Sequence, residues 1–348
     1  MSWQPAYRLS YNGQDITADI NDFVLGVTYV DNLSGEADEL NVELEDTDGR
    51  WLNDWYPEHG AALTLALGYE GEALLPMGEF DVDELECSGP PSVVRIRALA
   101  AGLRKPVRSR RSRGYEQTTL DKVVAQVARR MGVQLKSEID PIPLDRLTQY
   151  QESDLQFLTR LADEYGYICK LMDNGANLVF WRRDAHYSAE PLRRLTMADV
   201  STWSVMDKVG EVPAKVTTQY HRPEKKQLMM ATVVNGETKL VPATGVSSSA
   251  DEVKLSRRAG SQQAADAQAR AELDRRALER TRVELSLPGD PALLAGAMVE
   301  LAEWGRLSGR YVINQARHEL SRYQGYGVTL RLARTAPASV QEREPGNE

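Results

Sequence analysis

The chain is poor in the residues that carry most protein chemistry. Its 348 residues include 2 cysteines, 4 histidines and 4 phenylalanines. Cys87 and Cys169 lie far apart with no neighbour at metal or redox spacing, so both are expected to be reduced, buried thiols of a cytoplasmic protein, with a disulfide between them as the alternative. His59, His186, His221 and His318 are scattered, and no two stand four residues apart, so each is expected to be a surface or satisfied core histidine rather than a metal ligand. There is no Gly-x-Ser-x-Gly elbow, Walker loop, His-Glu-x-x-His or dinucleotide fingerprint. Gly325-Tyr326-Gly327 lacks the following glycine and is expected to be a turn. Among 51 acidic residues no spacing singles out a catalytic pair. No catalytic residue, cofactor or metal is therefore expected, and the chain is not expected to be an enzyme. It also lacks any run of about 18 apolar residues that would span a membrane. Its start, Met1-Ser2-Trp3-Gln4-Pro5, has neither the basic nor the apolar region of a signal peptide. With 42 basic residues against the 51 acids, the net charge of −9 argues against a general nucleic-acid binder.

What the chain does contain is a short pattern written twice. Gly78-Glu79-Phe80-Asp81-Val82 is echoed by Gly309-Arg310-Tyr311-Val312-Ile313. An apolar run precedes each copy, Leu63 to Leu67 and Met298 to Ala302. An alternating run follows each, Val94 to Arg97 and Val328 to Leu332. The repetition points to two similar β domains in one polypeptide. A subunit built that way can trimerise into a ring of six similar domains.

The first hundred residues alternate with period two at Leu40 to Leu44, Leu63 to Leu67, Phe80 to Leu85 and Val93 to Leu99, with turn residues such as Asn12-Gly13, Asp48-Gly49 and Gly89-Pro90-Pro91 between. Short strands at this spacing favour a barrel or sandwich. Residues 105–205 change character. Leu120, Val123, Val124, Val127 and Met131 fall on one helical face, between Thr118 or Thr119 as N-cap and Gly132 as stop. Ser153-Asp154-Leu155-Gln156 has the form of a capping box opening a second helix that ends at Gly166. A hairpin follows, Tyr167 to Leu171 returning as Leu178 to Trp181 through Asp173-Asn174-Gly175. β character resumes from about Trp203. Residues 235–260 are expected to form a long hairpin or loop, and a helix over 261–280, striped with Ala265, Ala269, Leu273 and Ala277, is expected to lie on the second β domain. The polar tail 336–348 is expected to be disordered.

Two features are candidates for an interface. Arg104, Lys105, Arg108, Arg110, Arg111 and Arg113 form the densest charge cluster. Without interleaved aromatics it suits a solvated linker, a contact to an acidic neighbouring subunit, or direct phosphate binding. Trp51 and Trp55, with Tyr56 before Pro57, suit either a loop packed on its own barrel or an interface hot spot.

At Tyr150-Gln151-Glu152-Ser153-Asp154-Leu155-Gln156-Phe157-Leu158 the chain resembles the late control D proteins, the baseplate hubs of contractile phage tails, which are related to the N-terminal hub of VgrG spikes. Arg160-Leu161 and Glu164-Tyr165-Gly166 continue the likeness, as do Leu178-Val179-Phe180, Leu293-Leu294-Ala295-Gly296, the second Gly-x-aromatic copy, His318-Glu319-Leu320-Ser321 and Gly325-Tyr326. The resemblance implies an α+β, mainly β fold: two similar tail-tube-like β-barrel domains, 1–104 and 206–335, around an inserted α/β domain, 105–205. It implies a homotrimer whose pseudo-hexameric ring joins a trimeric spike to the six-fold tail tube and initiates tube assembly. The implied partners are the spike and tube proteins, with the tape measure and baseplate wedge further possibilities. Assembly would take place in the cytoplasm of the bacterial host, for a phage or an R-type pyocin. VgrG-type needle repeats are not present, so a separate spike polypeptide is expected. The alternative is a hub-associated peptidoglycan-degrading enzyme. A nucleic-acid-binding regulator is disfavoured by the charge.

Overall fold

The computed structural model describes residues 4–34, 36–58, 60–100, 109–208, 215–222, 227–234, 237–242 and 252–335. Arg104, Lys105, Arg108 and the tail 336–348 lie outside the described residues.

The alternating runs pair into a 13-stranded sheet. Its main path runs Thr202–Asp207, Thr281–Pro288, Gly325–Arg334, Gly309–Ser321, Val24–Asn32, Glu39–Glu45, Val93–Ala100, Leu75–Ser88, Ala62–Tyr69, Pro5–Tyr11 and Gln14–Asp15. Met298–Leu301 pairs beside the start of Gly309–Ser321, and Arg193–Leu195 lies parallel to it. The strand Thr202–Asp207 therefore straddles the boundary expected at 205/206.

The written repeat is a structural repeat down to register. Gly78 faces Leu65 and Phe80 faces Leu63 in the first copy. Gly309 faces Leu301 and Tyr311 faces Val299 in the second. Both glycines have positive φ, 125° and 146°, which L side chains rarely adopt, so glycine is required where each strand swings into its hairpin. Both aromatic rings are buried in the core. On their other edges the two strands break register at matching places, between Val82 and Glu84 and between Ile313 and Gln315. The two copies share five strands in the same order, to which the first adds Pro5–Tyr11 and Gln14–Asp15 and the second adds Arg193–Leu195.

Alternation favours a barrel or sandwich, and the family resemblance implies two barrels; the structure joins the two copies into one sheet. Gly309–Ser321 is 13 residues long, enough to serve two partners along one edge. Its start pairs with Met298–Leu301, and beyond the bulge it pairs with Val24–Asn32, from Gln315 against Asn32 to Ser321 against Gly26. Among the described residues no pairing closes either copy into a barrel. Alternation marks one buried face per strand and carries no information about closure.

The inward residues follow the period of two. Leu40, Val42 and Leu44 fill the first copy's core, and Val283, Leu285 and Leu287 the second's. Burying each such side chain stabilises the fold by about 1.5–3 kcal/mol. The copies also touch through a loop: Tyr69 Oη donates to the Gly289 carbonyl at 2.6 Å. A Cβ at Gly289 would lie 2.2 Å from Tyr326 Cδ1, and Tyr326 is itself buried and bonded to His318. Gly289→Ala is therefore expected to cost about 3 kcal/mol or more, the upper part of the overpacking range, seen as a lowered urea midpoint.

The middle unit has its own core. The hairpin-like pair Arg111–Thr119 and Pro143–Glu152 flanks the helix Leu120–Met131, while Asp154–Tyr165 precedes the hairpin Tyr167–Met172 and Asn177–Arg182. Val123, Val124, Val127, Phe157, Leu158, Leu161 and Phe180 meet inside it. The stretch expected as a long hairpin or loop contains the strands Glu237–Pro242 and Glu252–Ala259 of a four-stranded sheet completed by Lys215–Arg222 and Gln227–Val234. The helix Gln262–Arg280 packs chiefly against that sheet and the helix Asp154–Tyr165, with slighter contact to the second copy's strands Thr281–Pro288 and Gly325–Arg334. Its alanines permit close approach: Ala265 joins the middle core, Ala269 meets Val216, and Ala271 Cβ lies 3.5 Å from where a Cβ at Gly166 would sit.

Candidate assembly interface

The Glu-Ser-Asp motif is a structural clamp. Ser153 is the N-cap, its Oγ accepting from Gln156 N while Gln156 Oε1 accepts from Ser153 N. This reciprocal pair satisfies two of the donors that a helix start leaves open. Asp154 is buried and accepts from both sides of Arg130, Nε at 2.8 Å and Nη2 at 2.5 Å, and from Gln149 Nε2 at 2.8 Å. Arg130 also donates to Tyr115 Oη at 3.1 Å and Gln149 Oε1 at 3.0 Å. Burial alone would raise the Asp154 pKa, but the Arg130 and Gln149 hydrogen bonds outweigh it and hold the carboxyl below its usual range. Arg160 ties the helix back to the preceding strand through Glu152 at 2.7 Å and Thr148 O at 3.0 Å, and along its own helix to Glu164. Each charge in the motif is matched within the middle unit.

A second polar cluster sits where the copies and the middle unit meet, and sequence spacing gave no sign of it. Lys170, on the strand Tyr167–Met172, donates to Asp31 and to Asn32 O, and lies 3.5 Å from Asp38. The other oxygen of Asp31 accepts from Ala295 N at 2.8 Å. One carboxylate thus binds the first copy, the second copy's Leu293-Leu294-Ala295-Gly296 segment and the middle unit. Burial opposes the Lys170 charge, but Asp31 and Asp38 more than offset this and raise its pKa. Burial pushes Asp38 up to about 7, with Asp31 adding to the effect and Lys170 opposing it.

His318 completes the junction. It is fully buried, with Nε2 3.0 Å from Leu293 O and Nδ1 2.9 Å from Tyr326 Oη. A carbonyl only accepts, so Nε2 carries the proton and Nδ1 accepts from Tyr326. Burial lowers its pKa and keeps the ring neutral. Two segments singled out by family likeness, Leu293 to Gly296 and His318 to Ser321, therefore meet here. His186 also touches this segment, its Nε2 2.8 Å from Gly296 O and its ring stacked on Trp181.

The residues proposed from sequence do not converge. Arg110 is exposed and lines the cleft between the first copy and the middle unit. Arg111 lies 3.7 Å from Asp154, and the Arg113 guanidinium sits 5.6 Å from the Tyr115 ring centre. Trp51 is buried beneath its own loop, edge-on to Trp55 at 5.3 Å. Trp55 is partly exposed, with Arg50 over its ring. Cys169 is buried, and burial raises its thiol to about 12. Cys87, expected to be buried, is exposed. It lies past the register break of Leu75–Ser88, where no described strand covers that edge. The cleft has a volume of about 1610 Å³ and is lined by Asp31, Asp38, Lys170 and Asp83 among others. Among the described residues no group of three His, Cys, Asp or Glu side chains is placed to hold a metal ion, and no helix is long and apolar enough to cross a membrane.

Solved structures share this fold. The 43 kDa tail protein of prophage MuSo2 from Shewanella oneidensis superposes with a TM-score of 0.67 at 16% identity, covering 95% of this chain and 98% of that one. An E. coli component of the type VI secretion system, described as structurally similar to the T4 bacteriophage tail proteins gp27 and gp5, gives a TM-score of 0.57 at 13% identity over 95% of this chain and 77% of that one. These likenesses define the fold. The phage tail baseplate hub (GPD) family model matches residues 92–324, and the chain belongs to that family. A probable baseplate hub protein of Escherichia phage 186 is 34% identical over 240 residues. That match spans 66% of this chain and 60% of the relative, less than two thirds of the relative's length.

Proposed function

We propose that this baseplate hub protein works as a homotrimer, six similar sheet units forming a pseudo-hexameric ring between a trimeric spike and the six-fold tail tube, and that the ring nucleates tube assembly. The observation that carries the reading is the matched register of the two copies, which gives each subunit two nearly equivalent units. Three such subunits present six units to a six-fold tube and three subunits to a three-fold spike. The proposed partners are the spike and tube proteins, with tape-measure and wedge proteins as further contacts, and the assembly forms in the bacterial host's cytoplasm before entering the tail. The role is structural: the charged groups of the Glu-Ser-Asp motif and of the junction are committed to one another, and purified peptidoglycan incubated with the protein is expected to keep its turbidity.

Light scattering behind size exclusion tests the ring. Alone or with a candidate spike protein, the hub is expected at three times the protomer mass. A protomer that stays single with a spike that itself trimerises overturns the ring.

A further inference from the structure

The two copies match so closely that the differences between them are informative. In the second copy the strand Gly309–Ser321 continues past its bulge and pairs with Val24–Asn32 of the first copy. In the first copy the equivalent stretch, Glu84–Ser88, pairs on one edge with Val93–Arg97, and no described strand takes the other edge. The strand that occupies the place of Val24–Asn32 in the second copy is Thr202–Asp207. It pairs with Thr281–Pro288, and its outer edge is likewise unpaired among the described residues. One seam of the repeat is filled within the chain. The equivalent seam has both halves present and, among the described residues, unpaired, one on the outermost strand of the sheet path and the other on a strand of the first copy.

We infer that the edge Thr202–Asp207 of one copy of this chain pairs antiparallel with Glu84–Ser88 of the next, reproducing between subunits the seam that joins the two repeats within each subunit. The inference rests on the ring reading and supplies its contact and its register. The register follows from the pairings within each copy. Val82 and Ile313 face Ala98 and Leu332, which in turn face Leu40 and Val283. Leu40 faces Tyr29, and Val283 faces Val205, so Val205 stands where Tyr29 stands. Glu84 and Gln315 are the first paired residues after each bulge, and Cys87 and His318 each come third after them. Tyr29 faces His318 within the chain, so Val205 of one subunit faces Cys87 of the next. Val30 faces Arg317, so Met206 faces Glu86.

The exposure of these elements fits an occupant of this kind. Trp203 and Met206 are 52% and 57% exposed on the outermost strand of the sheet. Leu85 packs only partly on the first core, and Cys87 beside it is exposed although its cross-strand neighbour Val94 is buried. Pairing would extend that core over Leu85 and Cys87 and remove two free sheet edges, each of which invites uncontrolled pairing. The contact is head to tail, so it closes into a ring only by rotation about an axis.

Directed cross-linking with diamide tests the register; two facing thiols give up two protons and two electrons to the diamide and form one S–S bond. Val205→Cys, relying on native Cys87, is expected to give covalent dimers and trimers on a non-reducing gel, because facing residues in a sheet bring their Cβ atoms within disulfide reach. Met206→Cys alone is expected to give none, since that residue points to the opposite face. A second pair, Met206→Cys with Glu86→Cys in a Cys87→Ser background, uses exposed positions that spare the fold and is expected to link again. Mass is measured on the same samples. A three-fold mass with no links, or with equal links from Met206→Cys alone, overturns the seam and leaves the ring standing. Persistent monomers overturn the ring itself.

Discussion

Replacing Lys170 by methionine is expected to cost about 3–5 kcal/mol of folding stability, the range for removing one partner from a buried ion pair. Lys170 is the cation between Asp31 and Asp38, and all three side chains are largely withdrawn from water. The substitution keeps the side chain's bulk but leaves two carboxylates facing each other, with Asp31 still held by Ala295 N. That loss is a large part of an ordinary domain's stability of about 5–15 kcal/mol. Adding Asp38→Asn to Lys170→Met is expected to restore part of it. Asp38→Asn alone carries a pH signature. The Asp38 pKa is higher in the folded protein than in the unfolded chain, at about 7, so the folded state binds this proton more tightly. The carboxyl therefore weighs increasingly against folding as pH rises from about 4 to about 7. The stability of Asp38→Asn relative to the native chain should grow over that window and level off above it. Urea midpoints at a series of pH values check both results; a difference that shrinks with rising pH would contradict this account of Asp38.

Asp154→Ala is expected to cost a similar amount, about 3–5 kcal/mol, by stranding the Arg130 guanidinium against Tyr115 and Gln149. Asp154→Asn, which keeps the shape and loses the charge, should cost less. Hydrogen exchange should show the loss first in the helices Leu120–Met131 and Asp154–Tyr165, which the clamp joins. An Asp154→Ala protein with an unchanged urea midpoint would show that the motif serves something other than structure, and would reopen the enzymatic alternative.

Much of the local structure was legible because its causes are local. Thr119 in an extended conformation and Gly132 in the left-handed one bound the first helix, and Ser153 with Gln156 opens the next through bonds between residues three apart. Asp173-Asn174-Gly175 turns the hairpin through residues that tolerate positive φ. The duplicated Gly-x-aromatic pattern was visible because each glycine and each ring has the same task at the same point of a strand. The placement of Trp51 and of Arg110, Arg111 and Arg113 was not legible for a related reason: exposure and charge pairing depend on what packs against a residue, and neighbours in sequence do not reveal that.

The sequence by itself determined the strands, the capped helices, the duplication and the likeness to tail hubs, since each depends on spacing along one stretch of chain. The tertiary structure was needed to show that the copies share one sheet, that Lys170 meets Asp31 and Asp38, that His318 is buried against Leu293, and that Cys87 and Trp203 stand on edges no described strand covers. These depend on pairings between residues remote in the chain. Period-two alternation states which face of a strand is buried, but not which strand lies beside it.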